Sequence, residues 1–271
     1  MVTKLEGGCR VSEMHEGDPV GDGTLSIWNQ IGRATGAQAI SLRILEFAPG
    51  LSPGIRSNSD EILYVLGCWQ QGRSVSTDGV STACGSGRVK AFIDGQSYDI
   101  DSDTGMYLRP GETLAVNNPG PDSIVVVSCR CPEPESAPDL VAPPTIPLSY
   151  STPPAQPPLV RLADRKAQPT ADRWYRVLVD DEIGSTQATQ FVGSIPPGRA
   201  PDHFHQYEEV LFILKGEGRM WAGETNTPIS PGACIYLPKG QVHCVENTGT
   251  SELRLLGVFY PAGSPSVRYN V

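Results

Sequence analysis

The sequence has no long apolar run and few charged residues for its length. Of its 271 residues only 19% are charged, and apolar residues never approach the roughly 18 in succession that a membrane-spanning helix needs. No basic run occurs, and 30 acidic against 21 basic residues give a net charge of −9. We therefore expect neither a nucleic-acid nor a membrane partner. The first nine residues contain no apolar signal region, so we expect a cytoplasmic protein.

Cysteine is also sparse. The chain has seven cysteines, an odd number, without the dense spacing of a secreted disulfide scaffold. One residue separates Cys129 from Cys131, which is not the gap of the usual zinc knuckle. We expect these cysteines to be buried, reduced thiols.

Glycine and proline, in contrast, are abundant, with 29 and 25 residues respectively. They separate short apolar or alternating runs such as Ile40–Phe47, Ile124–Cys129, Thr189–Ile195 and Leu253–Phe259. No helical periodicity intervenes between these runs. Short strands at this spacing are typical of an all-β sandwich or barrel, so the sequence predicts an all-β protein.

One segment divides the chain. From Pro132 to Pro158, ten of 27 residues are proline, which excludes helix and interior strand and favours an extended path. We interpret residues 132–158 as a linker between an N-terminal domain, residues 1–131, and a C-terminal domain, residues 159–271.

The two predicted domains resemble each other in sequence. The run Glu61–Gly67 parallels Glu209–Gly216, and the turn Asn118–Gly120 parallels Asn247–Gly249. Matches at several positions in the same order indicate an internal duplication.

Candidate metal ligands lie only in the second half. Residues two apart on a strand share a face, so His203 and His205 project together. Glu209 begins the next run, and His243 can arrive from a later strand. Three imidazoles and one carboxylate would hold a divalent first-row metal and leave about two of six octahedral positions open. The chain has four histidines, and His15 is the one outside this group.

These residues resemble the cupin superfamily, whose motifs are G(x)5HxH(x)3-4E(x)6G and G(x)5PxG(x)2H(x)3N. The second motif is matched at Gly232, Pro238, Gly240, His243 and Asn247. The first is matched from His203 through Glu209 to Gly216, although Gly198 lies one residue too near the first histidine. The resemblance implies two tandem cupin barrels, a bicupin, with His203, His205, Glu209 and His243 as ligands of one metal ion.

The first half resembles a cupin that has lost its metal site. Alignment of the halves places Ile55, Ser57 and Leu114 where the three histidines stand, and only the carboxylate of Glu61 remains. An insert at residues 68–86, rich in Ser, Thr and Gly, is expected to form an exposed loop or hairpin extension.

Residues near the ligands in sequence are candidates for substrate contact. Strand parity places Leu211, Ile213, Gln241 and Val245 on the ligand side and so predicts a mostly apolar wall. The candidates for polar or aromatic contacts are Arg199, Gln190, Tyr207, Trp221 and Tyr236. Arg199 stands out because a cation near a metal suits a carboxylate or enolate substrate.

The resemblance implies a divalent transition metal (Fe, Mn, Ni or Zn) and a small-molecule substrate. An apolar wall with a few aromatic residues favours a dioxygenase-like reaction on an enolic or aromatic carboxylate. A metal-dependent hydrolase, isomerase or decarboxylase, such as one similar to ureidoglycine aminohydrolase, is an alternative, as is a non-catalytic binding cupin. The two barrels are expected to pair face to face, and a homodimer of the whole chain is a further expectation.

Overall fold

The computed structural model describes residues 1–70, 73–74, 88–135, 139–143, 157–170, 172–266 and 269–270. Within these ranges the chain forms β-strands and four short 3-10 helices, and no α-helix. The 3-10 helices span Glu6–Gly8, Arg33–Thr35, Leu162–Asp164 and Asp181–Ile183. In the same ranges, no helix has both the length and the apolar character needed to cross a bilayer. The predicted all-β class is confirmed.

Two sets of strands follow the chain order. The first is β1 (Thr3–Lys4), β2 (Arg10–Glu13), β3 (Val20–Asp22), β4 (Leu25–Ile31), β5 (Leu42–Phe47), β6 (Gly50–Leu51), β7 (Gly54–Arg56), β8 (Asp60–Gly67), β9 (Trp69–Gln70), β10 (Arg73–Ser74), β11 (Lys90–Ile93), β12 (Gln96–Asp99), β13 (Thr104–Leu108), β14 (Thr113–Asn118), β15 (Ile124–Cys131) and β16 (Asp139–Val141). The second is β17 (Leu159–Arg161), β18 (Gln168–Thr170), β19 (Arg173–Val179), β20 (Thr189–Ile195), β21 (Gly198–Arg199), β22 (His203–Phe204), β23 (Glu208–Lys215), β24 (Gly218–Ala222), β25 (Thr225–Ile229), β26 (Ala233–Leu237), β27 (His243–Asn247), β28 (Leu253–Tyr260) and β29 (Tyr269–Asn270).

These strands form two barrels, each built from a pair of antiparallel sheets. In the N-terminal barrel the order β17-β13-β8-β15-β5-β4-β3 forms one sheet, and β12-β11-β14-β7-β16 with β6 forms the other. In the C-terminal barrel the corresponding orders are β1-β2-β26-β23-β28-β20-β19-β18, and β25-β24-β27-β22-β29 with β21. The predicted pair of jelly-roll barrels is therefore confirmed.

The same turn contacts occur in both barrels. The side-chain amide of Asn247 donates to the carbonyls of Ile195 and Ser251, and its oxygen accepts from the backbone N–H of Gly249. Asn118 makes the corresponding three bonds, to Phe47, Asp122 and Gly120. Because each asparagine ties a turn to a neighbouring strand, its place in the duplicated sequence has a structural cause.

Side chains that alternate in direction along the central strands contribute to three cores, one inside each barrel and one between the barrels. On β8, Leu63 and Val65 point into the N-terminal barrel, whereas Ile62 and Tyr64 pack toward the other barrel. On β23, Leu211 lies in the C-terminal core, and Val210 and Phe212 lie in the inter-barrel core. Strands buried on both faces read as continuous apolar runs, which explains why the sequence shows so little alternation here.

Strand pairing crosses the expected domain boundaries in both directions. Strand β2 pairs with β26, so that Arg10 lies opposite Tyr236 and the N-terminal arm joins the C-terminal barrel. Strand β17, which follows the linker, pairs with β13 of the N-terminal barrel. Each barrel is thus completed by a strand that precedes the other barrel in sequence.

The linker and the insert are described only in part. Residues 139–141 of the linker form the edge strand β16 beside β7, an edge position that flanking prolines permit. Of the insert at 68–86, the start forms the hairpin β9–β10, and Trp69 packs edge-on against Phe212 at 5.7 Å. Residues 71–72 and 75–87 lie outside the described residues.

The expectation of reduced cysteines is correct for five residues and wrong for one. Cys9, Cys129, Cys131, Cys234 and Cys244 are free and buried. Cys68, at the start of the insert, is disulfide-bonded.

Candidate metal centre and its pocket

Two neighbouring strands and one turn position the three histidines. His203 on β22 lies directly opposite His243 on β27. His205 follows β22, and its carbonyl accepts the backbone N–H of Gly240 at 2.8 Å. Gly240 has a φ of +79°, which glycine adopts without steric cost. The turn that precedes His243 therefore also holds the chain at His205.

The imidazole rings form a compact group. Ring centroids lie 5.0 Å apart for His203 and His205, 4.6 Å for His203 and His243, and 5.2 Å for His205 and His243. One ring nitrogen from each histidine lies within 4.8 Å of the other two. Glu209 Oε2 lies 3.5 Å from His205 Nε2, so the carboxyl group borders the same space.

Backbone carbonyls orient two of the rings. Nδ1 of His243 lies 2.8 Å from the carbonyl of Gln241, and Nδ1 of His203 lies 3.0 Å from that of Pro201. A proton on each Nδ1 satisfies these carbonyls and leaves Nε2 unprotonated. The nitrogen lone pairs that a metal needs are thereby available.

Burial controls the protonation of the site. Desolvation, followed by the charge of His203, lowers the pKa of His243 to about 4, so His243 is neutral at neutral pH. Desolvation raises the pKa of Glu209 to about 8. A buried carboxyl group of this kind favours its ionised form only when a cation is close.

The site forms part of a pocket that is open to solvent. Tyr207 stacks on His205, with ring centroids 4.7 Å apart and planes 10° apart, and also on Phe259. The remaining lining residues are mainly apolar or aromatic: Trp174, Tyr175, Phe191, Gly193, Ile195, Ala200, Leu211, Val245, Leu255 and Pro265, together with Thr170, Arg173 and Ser194. Of the four residues that strand parity placed on the ligand side, Leu211 and Val245 line the pocket, whereas Ile213 and Gln241 do not.

Comparison with known proteins bears on this half of the chain. Residues 191–259 match the sequence family described as "Cupin domain", and this range contains all four predicted ligands. The C-terminal barrel is a cupin domain. The resemblance to the cupin superfamily, inferred from the two motifs, is confirmed.

Two curated proteins are similar to part of this cupin. Auxin-binding protein 1 of Arabidopsis thaliana is 34% identical over 70 residues, 22% of the chain and 35% of that protein. The oxalate-binding protein of Thermotoga maritima is 36% identical over 66 residues, 24% of the chain and 54% of that protein. The matched segment spans little more than half of the second relative and about a third of the first.

Solved structures share the fold of the whole chain. A structure of Bacillus subtilis oxalate decarboxylase at pH 4.6 has a TM-score of 0.70 at 12% identity and covers 94% of this chain and 77% of its own. A second structure of that enzyme, from a study of its Mn(II) centres, has a TM-score of 0.70 at 12% identity, with coverages of 96% and 79%. At this identity the likeness establishes the bicupin fold and nothing further.

The donor set of the cupin fits a divalent transition metal. Three neutral imidazoles and one carboxylate are ligands that such ions accept, and with four protein ligands an octahedral ion keeps positions open. The burial of Glu209 is an independent reason to expect a metal ion, because an adjacent cation offsets the free-energy cost of ionising a buried carboxyl group.

The substrate candidates from the sequence occupy different places. Tyr207 lies in the pocket, as just described. Tyr236 faces the other barrel, where its hydroxyl donates to Glu208, and Gln190 donates to the carbonyl of Leu63 across the interface. Arg199 lies over the ring of Trp221, 4.1 Å from its centroid, and neither residue lines the pocket. Four of the five candidates therefore lie outside the pocket lining, and substrate contact stays a prediction for each of them: Gln190, Arg199, Trp221 and Tyr236.

Sequence reasoning missed the residues of β18 and β19. Thr170, Arg173, Trp174 and Tyr175 line the pocket from this edge of the sheet. They lie some 30 residues before the first histidine, and only the sheet order places them beside it. The run of large side chains at Arg173–Tyr175 was a signal for burial but gave no indication of the site.

The N-terminal barrel has no corresponding site among its described residues. Ile55 pairs with Leu114 as His203 pairs with His243, and both are fully buried in the barrel core. The remaining carboxylate, Glu61, accepts hydrogen bonds from Arg43 and Ser128. A guanidinium thus balances the charge of this buried carboxylate.

Proposed function

We propose that the protein is a metal-dependent bicupin enzyme with one catalytic centre, in the C-terminal barrel. His203, His205, Glu209 and His243 would hold one divalent transition metal ion. The observation that carries this proposal is the convergence of three imidazoles at one pocket, with the buried carboxyl group of Glu209 3.5 Å from His205 Nε2.

A small carboxylate is the substrate class that we infer. The names of two relatives refer to oxalate and auxin, and the structural neighbours include oxalate decarboxylase. When bound, a divalent metal would polarise a coordinated oxygen and, if redox-active, would support dioxygen chemistry. A carboxylate or enolate oxygen is a suitable ligand for the open positions.

The protein's own residues would position such a substrate and keep water away. Tyr207 fixes the ring plane of His205 by stacking, and the apolar side chains of Leu211, Val245 and Leu255 leave few groups that bind water. A dry, apolar wall strengthens electrostatic interactions at the centre. We propose oxygenation of an enolic or aromatic carboxylate as the reaction, with decarboxylation as the alternative suggested by the structural neighbours.

A binding protein without turnover is the second candidate. The two curated relatives are both named for the molecules that they bind. The same site would then use its metal to anchor a carboxylate ligand. A cytoplasmic location and a homodimer complete the proposal; both rest on the sequence.

Elemental analysis of the purified protein tests the metal centre. We expect about one divalent ion per chain, and loss of most of it in His243→Ala because one of four ligands is removed. His15→Ala is the matched control, since this histidine packs against Trp28 outside the site. Full metal retention in His243→Ala would show that the ligand assignment is wrong.

Turnover separates the two candidates. Metal-loaded protein is supplied with oxalate, phenolic acids and enolic acids while oxygen and carbon dioxide are followed. Oxygen consumption supports oxygenation, and carbon dioxide release without oxygen consumption supports decarboxylation. Saturable binding of a carboxylate with no product would instead support the binding protein.

A further inference from the structure

Arg173 is a cation inside the metal pocket. It begins β19 and lines the pocket together with the histidines, and 13% of its side chain is exposed. Its Nε donates to Asp172 Oδ1 at 3.1 Å. In the part of the chain that the structure describes, no acceptor bonds to its two terminal nitrogens, Nη1 and Nη2.

The charge pattern of the pocket is simple. Among the described residues that line it, Glu209 is the one acidic residue, Arg173 is the one permanent cation, and the others are neutral or histidine. Asp172, which pairs with Arg173, is 64% exposed, so its negative charge is well solvated. The paired terminal nitrogens of a guanidinium match the two oxygens of a carboxylate.

Strand register separates Arg173 from the ligand group. Glu209 pairs with Phe259, which pairs with Thr189 at the start of β20. Trp174, the neighbour of Arg173, pairs with Ser194 at the other end of β20. Five residues along a strand correspond to roughly 17 Å between backbone positions. The metal ligands and Arg173 therefore lie toward opposite ends of the pocket.

Apolar surface lies between these two ends. Phe191 and Gly193 occupy the intermediate positions of β20 and line the pocket, as do Leu211 and Leu255 on the adjoining strands. The pocket thus presents a metal-binding group at one end, a guanidinium at the other, and an apolar wall between them.

We propose that the pocket takes an elongated substrate with two acidic groups joined by an apolar spacer. One acidic group would bind at the metal centre, and Arg173 would recognise the second. This inference rests on the proposed metal-dependent function and names the substrate class for it. Arg173 is accordingly a specificity-determining residue.

The test compares dicarboxylates with monocarboxylates of equal chain length. Titrations of metal-loaded protein with oxalate, succinate, adipate, suberate and sebacate are set against those with the matching fatty acids. We expect a preference of about tenfold or more for the longer dicarboxylates, as one charge-assisted hydrogen-bonded pair would give. Oxalate, which has no spacer, should show no contribution from Arg173.

Variants assign the preference to one side chain. Arg173→Gln should abolish the preference, and Arg173→Lys should retain part of it because the charge remains while the paired donors are lost. Arg219→Gln is the matched control, since this arginine is exposed, donates to Asn226 and does not line the pocket. All four proteins should contain equal amounts of metal.

Metal analysis of the same samples distinguishes two kinds of failure. Wild-type protein that binds no metal would contradict the proposed function and this inference together. Wild-type protein that binds metal but shows no preference for dicarboxylates would contradict this inference alone. A preference that persists in Arg173→Gln would likewise overturn it.

Discussion

Glu209 is an acid in surroundings that disfavour its charge. Its side chain is 6% exposed, and burial raises its pKa to about 8 from an ordinary value of 4.5. In the metal-free protein the folded state therefore retains a proton that the unfolded state releases above pH 4.5. The free energy of unfolding of the metal-free protein therefore falls as the pH rises from about 4.5 to about 8, because ionising the buried carboxyl group is costly. A bound cation would remove this cost.

Glu209→Gln should therefore stabilise the metal-free protein in alkaline solution. The amide is neutral at every pH, so the cost of deprotonating a buried acid disappears. Above pH 8 we expect a gain in the free energy of unfolding of the order of 3–5 kcal/mol, from a pKa change of about three units. Urea unfolding of chelator-treated wild type and variant across the pH range measures it.

The same variant provides its own control. Below about pH 3.5 the wild-type acid is largely protonated in both states, so the two proteins should differ little. Lower stability of the variant at alkaline pH would refute the argument. His243 is present in both proteins and therefore affects both. Its lowered pKa of about 4 reduces their stability only as the pH falls below its ordinary value of 6.5.

The grouping of the three histidines could be predicted from sequence, whereas the lining of the pocket could not. His203 and His205 share a face by strand alternation alone, and the glycine, proline and asparagine positions fix the turns around them. The positions of Gln190 and Arg173 relative to the pocket depend on which face of each strand meets which barrel. The run Thr189–Ile195 is buried throughout, so it carries no polarity signal for its two faces.

At the scale of elements, strand β23 carries two adjacent acidic residues that face different barrels. Glu209 points into the C-terminal barrel, and Glu208 points toward the N-terminal barrel. Glu208 accepts the backbone N–H groups of Gln38 at 2.8 Å and Ala39 at 2.6 Å, as well as the hydroxyl of Tyr236. A loop of one barrel is thus bonded to the strand that carries Glu209, the proposed metal ligand of the other. Strand alternation places adjacent acids on opposite faces, but no sequence signal identifies the partner of Glu208.

Glu208→Ala should weaken the association of the barrels. The change leaves two backbone donors and a hydroxyl without their acceptor in a buried interface. We expect a loss of about 2–4 kcal/mol in the free energy of unfolding. Thermal or urea unfolding measures this loss, and Tyr236→Phe, which removes one of the three bonds, should cost about 1 kcal/mol. Equal stability of Glu208→Ala and wild type would contradict the role of this contact.

At the scale of the whole molecule, the duplication could be predicted but the strand exchange could not. Matching motifs in order reveal two copies of one unit. The pairing of β2 with β26 has no local signal, because a four-residue strand is compatible with many sheet edges. The resulting chain is an intramolecular counterpart of a dimer with exchanged arms. Neither barrel is complete without residues from the far side of the linker.

Deletion of residues 1–13 should therefore damage the C-terminal barrel, although the deleted residues lie at the opposite end of the chain. The arm covers the edge of β26 and contributes Leu5, Cys9 and Val11 to the core around the metal site. Losing the burial of three such side chains costs roughly 5 kcal/mol or more. Hydrogen exchange followed by mass spectrometry should show lost protection at Ala233–Leu237, with β4 and β5 still protected. Loss confined to β4 and β5 would mean that the arm stabilises its own barrel, and Val11→Ala should give the same pattern at smaller amplitude.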